Sequence, residues 1–507
     1  MCKECAAFSR RDLLAGAAGV PAVTRLAMPL AASPGEVLAM RRLGKPLRVK
    51  PSIVYQILTR KEGNTWREWG GLATEADVDQ EIRRIEEEHK VLSSQARFPV
   101  EFLPIERVNA DPVATRVAAA DCDVHLVYAA GGAGAGIYKQ TRLDAITGTG
   151  KPSIIFLRHR SGPFYNWYEI VHARLLRNQT DKYTHPSLTV WDVVVDDPGG
   201  ILWRLRALYG LKNTMGTRIV AVNGAGTWGG GAPAVERAIG LWKLDVRTVP
   251  MEQLKSRLEA RAADSAAAER AGREARAYVS QKSVVEARTG EPFIVRSFLL
   301  KDVLLELMRE NSADAVTIRG CMGIGPIAQT TACLAFSLIN DEGPMAWCES
   351  DFPAIGAGIL LHHISGKPVF LNDPCFPHNG IVTCAHCTSP RRMDGRDLEP
   401  VRILTHFDSD YGAAPKVEFR KGQVITNLVP DFKTEKWLGF RATITDHPFY
   451  PICRSQFDCA IDGDWHKVLE EMRGFHWVTV YDDYLREIGY AARKVGIGWV
   501  DASGGRA

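Results

Sequence analysis

A long alternation of apolar runs with helical stretches, which begins near residue 46, is the feature that most constrains the fold of this chain. The runs "SIVYQILT", "CDVHLVYAA" and "PSIIFLRH" are typical of buried strands, and "DVDQEIRRIEEEHKVLSSQ" has the spacing of a helix with one charged face. Apolar strands that alternate with helices are typical of parallel sheets. A second series, which starts near residue 217 with "TRIVAVNGAG", predicts a second sheet of this kind.

The pattern changes after Asp373. The segments "VRILTHFDSDYG", "PKVEFRKGQVITNLVP" and "GFRATITD" alternate apolar with polar residues, which favours antiparallel pairs joined by turns. A chain of 507 residues is also too long for one hydrophobic core. We therefore predict an α/β protein with two doubly wound parallel-sheet domains, followed by a smaller β-rich C-terminal domain. The predicted domains are 46–205, 206–365 and 366–507.

The N-terminal segment 1–34 has a different character. Its stretch "SRRDLLAGAAGVPAVTRLAMPLAAS" carries the pair Arg10 and Arg11, followed by a weakly apolar run. This resembles a twin-arginine export signal, which is an address rather than part of the folded structure. The segment is therefore expected to direct the protein to the periplasm, by a route that carries proteins already folded. If it is instead a disordered basic tail, the protein stays in the cytoplasm.

Charge and composition exclude two classes of partner. The net charge is only +4, with both signs mixed along the chain, so no nucleic-acid surface is expected. The body of the chain has no apolar run of about 18 residues, so no membrane span is expected either. Eleven cysteines are present, and Cys2 and Cys5 lie in the presumed signal. The remaining number is odd and the spacing irregular, which does not indicate a disulfide framework.

Two motifs each admit an ordinary explanation. "GAGTWG", Gly224 to Gly229, follows a strand and fits a dinucleotide-binding pattern, which leaves a nicotinamide oxidoreductase as an alternative. The acidic residue that should end the next strand is missing, so a tight turn is favoured. "CFPHNGIVTCAHC" has zinc-site spacing, but buried free cysteines near a functional histidine are the plainer interpretation. His362 and His363, within "GILLHHISG", are interpreted as packing or surface residues.

Isolated carboxylates stand at the ends of apolar runs in the stretch from Cys348 to Phe376. "CESD" brings Glu349 and Asp351, and "KPVFLNDP" brings Asp373 directly after a strand-like run. A buried ionised carboxylate is costly unless it is paired or bound to a metal. These carboxylates are therefore candidates for a metal site.

Together with "AHC" and the C-terminal "FHWVTVYDDYLREIGYAARKVGIGW", these segments resemble the L-fucose/L-arabinose isomerase superfamily. The resemblance covers Cys348 to Pro390 and Gly474 to Trp499, and it implies a fucose isomerase-like fold. It also implies ligand roles, which fall on Glu349, Asp373 and His476.

The resemblance leaves two further positions with a less defined role. His386, in "AHC", is implied to be an additional ligand or a substrate contact. The "W-x-x-W-G-G" segment resembles an N-terminal segment of related proteins, which implies that Trp66 is a substrate contact or an additional ligand.

The implied activity is metal-dependent aldose–ketose isomerisation through an enediolate. Oxygen and imidazole ligands suit Mn²⁺, or another divalent cation such as Mg²⁺. Glu349 and Asp373 would share metal ligation and the transfer of a proton between neighbouring carbons. The resemblance further implies a small-molecule sugar substrate and a homo-oligomer. The alternative is a non-catalytic or repurposed sugar-binding protein of the same fold.

The export signal gives the first prediction. Replacement of Arg10 and Arg11 by lysine should leave the protein in the cytoplasm, because the export route recognises the arginine pair. Cell fractionation and immunoblotting measure the distribution, with a co-expressed Sec-dependent protein as the control. Unchanged periplasmic delivery of the double variant would contradict the signal.

Overall fold

The computed structural model describes residues 44–57, 71–131, 141–166 and 187–504, together with positions 171, 176, 177, 182 and 185. The proposed export signal and Trp66 lie outside the described residues. The chain forms two compact units, Gly44–Lys212 and a second that begins at Asn213.

A parallel sheet forms the centre of the first unit. Its strands run in the order β2-β1-β4-β5-β6, and β3 also pairs with β1. The strands are β1 (Leu47–Val54), β2 (Val100–Phe102), β3 (Glu106–Val108), β4 (Val124–Ala129), β5 (Ser153–Leu157) and β6 (Val193–Val195). The helices are α1 (Glu75–Gln95), α2 (Asp111–Ala118), α3 (Thr141–Thr147) and α4 (Pro198–Thr214). All the pairings are parallel, as the alternating pattern predicts.

Local sequence explains these elements well. All residues of β4 and β5 are buried, as expected for central strands covered on both faces. Helix α1 begins with a capping box, in which the side chain of Thr74 accepts from the backbone N–H of Asp77 and the Asp77 carboxylate accepts from that of Thr74.

The second unit contains a four-stranded parallel sheet with the order β11-β10-β7-β8. Its strands are β7 (Arg218–Val222), β8 (Asp245–Val249), β10 (Ala315–Ile318) and β11 (Met345–Trp347). The helices of this part are α5 (Gly231–Trp242), α6 (Met251–Ala263), α7 (Ser265–Val279), α8 (Glu291–Glu310), α9 (Gly325–Ala328), α10 (Ala332–Glu342) and α11 (Phe352–Ser365). A short 3₁₀ helix, Cys321–Ile324, precedes α9.

The β-rich part of this unit is an antiparallel barrel. Strands β16-β19-β12-β13-β18-β17 pair in that order, and β17 pairs again with β16, so six strands close into a ring. They are β12 (Phe370–Pro374), β13 (Ile381–His386), β16 (Val424–Val429), β17 (Lys436–Asp446), β18 (Ser455–Asp462) and β19 (Trp477–Tyr481). The last strand, β20 (Gly498–Asp501), pairs in parallel with β17, and helices α12 (Trp465–Glu471) and α13 (Leu485–Lys494) connect the final strands.

A small third sheet joins the two parts of the second unit. Strand β9 (Val284–Ala287) pairs in parallel with β14 (Val401–Leu404), which pairs antiparallel with β15 (Ala414–Val417). One hydrophobic core contains Tyr278 and Phe298 from helices α7 and α8, and Phe457 from the barrel. The predicted boundary at 365/366 therefore does not separate two compact units, because the helices before it share a core with the strands after it.

Within the described residues, no single helix is long and apolar enough to cross a membrane. The helical segments Cys321–Ala328 and Ala332–Glu342 meet the length and composition requirements only as a pair, with a bend of 101° between them.

Helix α11 is apolar on all sides and buried along almost its whole length. Two glycines make this possible. A Cβ atom on Gly356 would overlap the indole of Trp242, and one on Gly358 would overlap the indole of Trp347. Because α11 follows the segment with Glu349 and Asp351, its close packing against these indoles also places those carboxylates.

Substitution of Gly358 by alanine should therefore destabilise the protein. The added methyl group overpacks the contact with Trp347, which costs about 1–3 kcal/mol. Gly240, in helix α5, is the matched control, because a Cβ atom there meets nothing within 4 Å. Gly240→Ala should leave stability unchanged or raise it by up to about 1 kcal/mol, since alanine favours helix. Thermal and denaturant unfolding compare the two variants, and equal stabilities would contradict the packing argument.

Candidate metal centre

A strained turn at the end of β11 positions Glu349. Glu349 and Ser350 have φ values of +63° and +57°, in the left-handed region that side chains other than glycine rarely adopt. The Ser350 hydroxyl donates to the carbonyl of Gly224 at 2.9 Å, and the Ser350 carbonyl accepts from the N–H of Gly226 at 3.1 Å. Strain of this kind persists where surrounding contacts hold it, and it is concentrated at functional sites.

The barrel register brings three more residues together. Asn372 of β12 pairs with Trp477 of β19, so the neighbouring Asp373 and His476 stand across from each other. Asp373 also pairs with Ala385 of β13, which places His386 beside it. Asp373 and His386 therefore lie on adjacent strands, and His476 lies directly before a third, at one end of the barrel.

Glu349 meets these residues at the carboxyl edge of the parallel sheet. Nε2 of His476 lies 3.4 Å from Oε2 of Glu349 and 3.4 Å from Oδ1 of Asp373. Nε2 of His386 lies 3.7 Å from Oε1 of Glu349. Ligand atoms of Glu349, His386 and His476 all lie within 4.8 Å of one another. The structure thus brings together the four residues for which the sequence predicts a shared site.

Three atoms that face the centre lack well-aligned hydrogen-bond partners, whereas the outer nitrogens of the two histidines have them. Nε2 of His476, Nε2 of His386 and Oδ1 of Asp373 are buried and have no well-aligned partner. On the outer side, the His476 ring shares a hydrogen bond of 2.8 Å with Oδ2 of Asp351 through Nδ1. Nδ1 of His386 and the Thr388 hydroxyl are 3.0 Å apart. Histidines that bind metals are usually held in this way by their second nitrogen.

The donor set fits a hard divalent cation. Two carboxylates and two imidazoles supply oxygen and nitrogen, the ligands that suit Mn²⁺, and no thiolate belongs to this group of four. A buried polar atom without a partner is costly, and three such atoms converge here. Glu349, Asp373, His386 and His476 could therefore hold the ion, with its coordination removing that cost.

His476 carries a strongly shifted pKa. Burial alone would lower it, but the hydrogen bond with Asp351 and the nearby Glu349 and Asp373 carboxylates raise it to about 10. Without a metal the ring is therefore an imidazolium at neutral pH, and a cation that binds Nε2 has to displace its proton.

The two carboxylates shift in opposite directions. Burial raises the pKa of Asp373 above its usual value, and the neighbouring histidines only partly offset this effect. Burial also acts on Glu349, but His476 and His386 hold the pKa of Glu349 below its usual value. A pair of carboxyl groups with separated pKa values can divide the roles of proton donor and charged ligand.

Asp351 stands among the isolated carboxylates of the sequence, but the family resemblance gives it no ligand role. It is buried at the N-terminus of α11, yet its side chain makes no helix-capping hydrogen bond and instead holds His476. The sequence does show a second carboxylate here, because Asp351 stands two positions after Glu349 in "CESD". Its partner is 125 residues away in the chain, so only the fold shows the pairing.

Trp228 and Phe475 form an aromatic wall beside the centre, which the sequence analysis also missed. Their rings stack with centroids 4.7 Å apart and planes 10° apart, and both contact the ring of His476 edge-on. Trp228 also helps to lower the pKa of the Glu349 carboxyl group. "GAGTWG" is therefore a turn that docks on Ser350 and carries Trp228 to the site.

The cysteines of "CFPHNGIVTCAHC" have different neighbours and do not converge on one point in the described residues. Cys384 interacts with Cys459 inside the barrel, whereas Cys387 interacts with Cys333 and Cys453. Among the described residues, no group that contains Cys375, Cys384 or Cys387 brings three ligand atoms together.

The paired histidines of α11 lie outside the candidate metal centre. The ring of His362 shares a hydrogen bond of 2.8 Å with the carbonyl of Lys367. Burial lowers the pKa of His363 to about 4.

No protein-family model matches this chain, and no curated protein is similar to it. The assignment of the centre therefore depends on the residues and their geometry.

Metal binding should release a proton. Because the pKa of His476 is about 10 in the metal-free protein, the affinity for Mn²⁺ should rise about tenfold per pH unit between roughly pH 7 and 9, with about one proton released per ion. Calorimetric titrations in buffers of different ionisation enthalpy measure the release.

Asp351→Asn is the companion variant for this measurement. It removes the carboxylate that stabilises the imidazolium, so it should reduce proton release and weaken Mn²⁺ binding about 10- to 100-fold. An affinity that is independent of pH in the unmodified protein would show that His476 is not a ligand.

Proposed function

We propose that this protein is a metal-dependent aldose–ketose isomerase with a fold like that of L-fucose and L-arabinose isomerases. The observation that carries the proposal is the convergence of Glu349, Asp373, His386 and His476, with unpartnered buried atoms directed to one point. The general architecture, parallel sheets followed by an antiparallel barrel, is compatible with it.

A divalent cation, Mn²⁺ or another such as Mg²⁺, would be held by these four residues. When bound, it supplies polarisation of the sugar carbonyl and stabilises the negative charge of the enediolate. The proton transfer itself is assigned to the protein's own side chains.

The proton transfer is assigned to the two carboxyl groups. Isomerisation moves one proton from C2 of the aldose to C1, with a compensating proton shift between the two oxygens, so atoms and electrons balance without a redox cofactor. Asp373 is suited to carrying this proton for two reasons. Its side chain is 36% exposed and so accessible to a substrate, and the partial burial of its carboxyl group raises its pKa. Glu349 keeps its negative charge, because the neighbouring imidazoles lower its pKa.

The aromatic wall is an argument for a polyhydroxylated substrate. Trp228 and Phe475 remain 55% and 42% exposed although both lie next to the metal centre. Apolar ring faces beside a few fixed polar groups are typical of small-molecule sites. Such a wall can cover the C–H face of a sugar while its hydroxyl groups turn towards the carboxylates.

A non-catalytic sugar-binding protein of the same fold is the second candidate. The exposed aromatic wall would suit it equally well. The buried ligands favour the enzyme, because recognition of a sugar does not require four converging ionisable groups, three of them with unpartnered buried atoms. The homo-oligomer and the periplasmic location belong to the same proposal, and they are supported by the family resemblance and by Arg10–Arg11 respectively.

Asp373→Asn should abolish isomerisation while the fold is retained. Loss of the proton carrier lowers the rate about 100- to 10,000-fold, and loss of one carboxylate charge also weakens metal binding. Asp462→Asn is the matched control, because Asp462 ends a strand of the same barrel but forms an exposed pair with Arg441.

The assay incubates metal-loaded protein with a panel of aldoses in D₂O and follows exchange of the C2 proton by NMR. The unmodified protein and Asp462→Asn should both exchange the proton, and Asp373→Asn should not. Saturable sugar binding without exchange, with equal affinity in all three proteins, would favour the sugar-binding protein instead.

A further inference from the structure

Thiols are concentrated at one side of the metal centre. Of the nine cysteines in the described part of the chain, all unpaired, five line a single pocket together with Glu349 and His386. These five are Cys321, Cys333, Cys348, Cys387 and Cys453. The proposed isomerase reaction uses none of them, so their position requires a separate explanation.

Two of these cysteines lie at the ends of neighbouring strands. Cys348 directly follows β11, and Cys321 begins the 3₁₀ helix after β10. Since β10 and β11 are parallel neighbours, both thiols reach the same carboxyl edge of the sheet, where such folds place ligands. Their sulfur atoms are 3.3 Å apart, and both side chains are buried.

A third donor completes the cluster. Sγ of Cys321, Sγ of Cys348 and a carboxylate oxygen of Glu349 all lie within 4.8 Å of one another. Glu349 therefore belongs to two candidate ligand groups, one with two imidazoles and one with two thiols. A carboxylate has two oxygens and can face one ion with each.

We propose that Cys321, Cys348 and Glu349 form a second metal site, for a thiophilic d¹⁰ cation such as Zn²⁺, beside the site of the hard divalent ion. Sulfur ligands select such cations, whereas the oxygen and nitrogen ligands of the first site suit Mn²⁺ or Mg²⁺. Three protein ligands leave one coordination position of a tetrahedral ion open, as in zinc sites that accept an exchangeable ligand.

The sulfur separation favours this site over a disulfide. Two thiolates on one tetrahedral zinc ion, with bonds of about 2.3 Å, lie about 3.8 Å apart, so the pair has to open by only about 0.5 Å. A disulfide requires about 2.0 Å, which is a contraction of about 1.3 Å between two side chains in a packed core. Binding would proceed with loss of the two thiol protons to solvent and without any change in oxidation state.

Cadmium titration of the full-length, chelator-treated protein tests the site. Cd²⁺ binds thiolates strongly, and each bound thiolate adds a charge-transfer band in the ultraviolet. We expect two Cd²⁺ ions per chain, only one of which produces the band. The double variant Cys321→Ser/Cys348→Ser should lose the band and one ion. Asp373→Asn should keep the band and weaken the other ion.

The control is a second pair of neighbouring thiols. Cys384 and Cys459 interact with each other inside the barrel and belong to neither candidate ligand group, so Cys384→Ala/Cys459→Ala should keep both ions and the band. A band that survives in Cys321→Ser/Cys348→Ser would overturn the proposal. Circular dichroism establishes that each variant is folded.

A measurement on the unmodified protein covers the case in which a variant fails to fold. Bound Zn²⁺ should protect Cys321 and Cys348 from alkylation by iodoacetamide, as read by peptide mass spectrometry, whereas Cys375 should react equally with and without zinc. Lack of protection, or a disulfide between Cys321 and Cys348 in the purified protein, would overturn the second site. Neither result would affect the proposed isomerase, which depends on Asp373 and on proton exchange in the sugar.

Discussion

One hydrogen bond, between Nδ1 of His476 and the carboxylate of Asp351, connects the two halves of the candidate centre. Asp351 stands where the parallel sheet passes into helix α11, and His476 stands where the chain enters barrel strand β19. Both side chains are buried, so the bond operates in a medium where an unpaired charge would be very costly. It orients the ring and leaves Nε2 directed towards Glu349 and Asp373.

Because these side chains are buried, their arrangement is costly without a bound ligand. Four ionisable side chains meet at the centre, and buried atoms of Asp373, His386 and His476 lack well-aligned partners. The outer nitrogens of the two histidines are hydrogen-bonded. The imidazolium of His476 compensates part of the negative charge in the metal-free protein. A divalent cation would compensate it more fully, because it satisfies several donors at once. The strained backbone at Glu349 and Ser350 points to the same conclusion, since it is held by the docked loop around Gly226.

The two proposed metal sites differ in chemistry although they share Glu349. On the barrel side the donors are imidazole and carboxylate, and on the sheet side they are thiols at the ends of β10 and β11. Ligand softness therefore separates the cations that each side would accept. The shared carboxylate means that the charge at one site influences the other, which relates the thiol pocket directly to the proposed chemistry.

The sequence by itself determined the parallel sheets, the change to antiparallel pairing after Asp373, and the residues Glu349, Asp373, His386 and His476. The sheets and the change in pairing follow from local periodicity, and the two carboxylates from the cost of isolated charges at the ends of buried runs. The two histidines were implied by the family resemblance. Only the tertiary structure decided how those residues meet, because the barrel register and the turn at Glu349 involve contacts between distant parts of the chain. The same holds for Asp351 as the partner of His476, for Trp228 at the site and for the pairing of Cys321 with Cys348. Hydrophobic patterning specifies which face of a strand is buried, but not which strand end lies beside another.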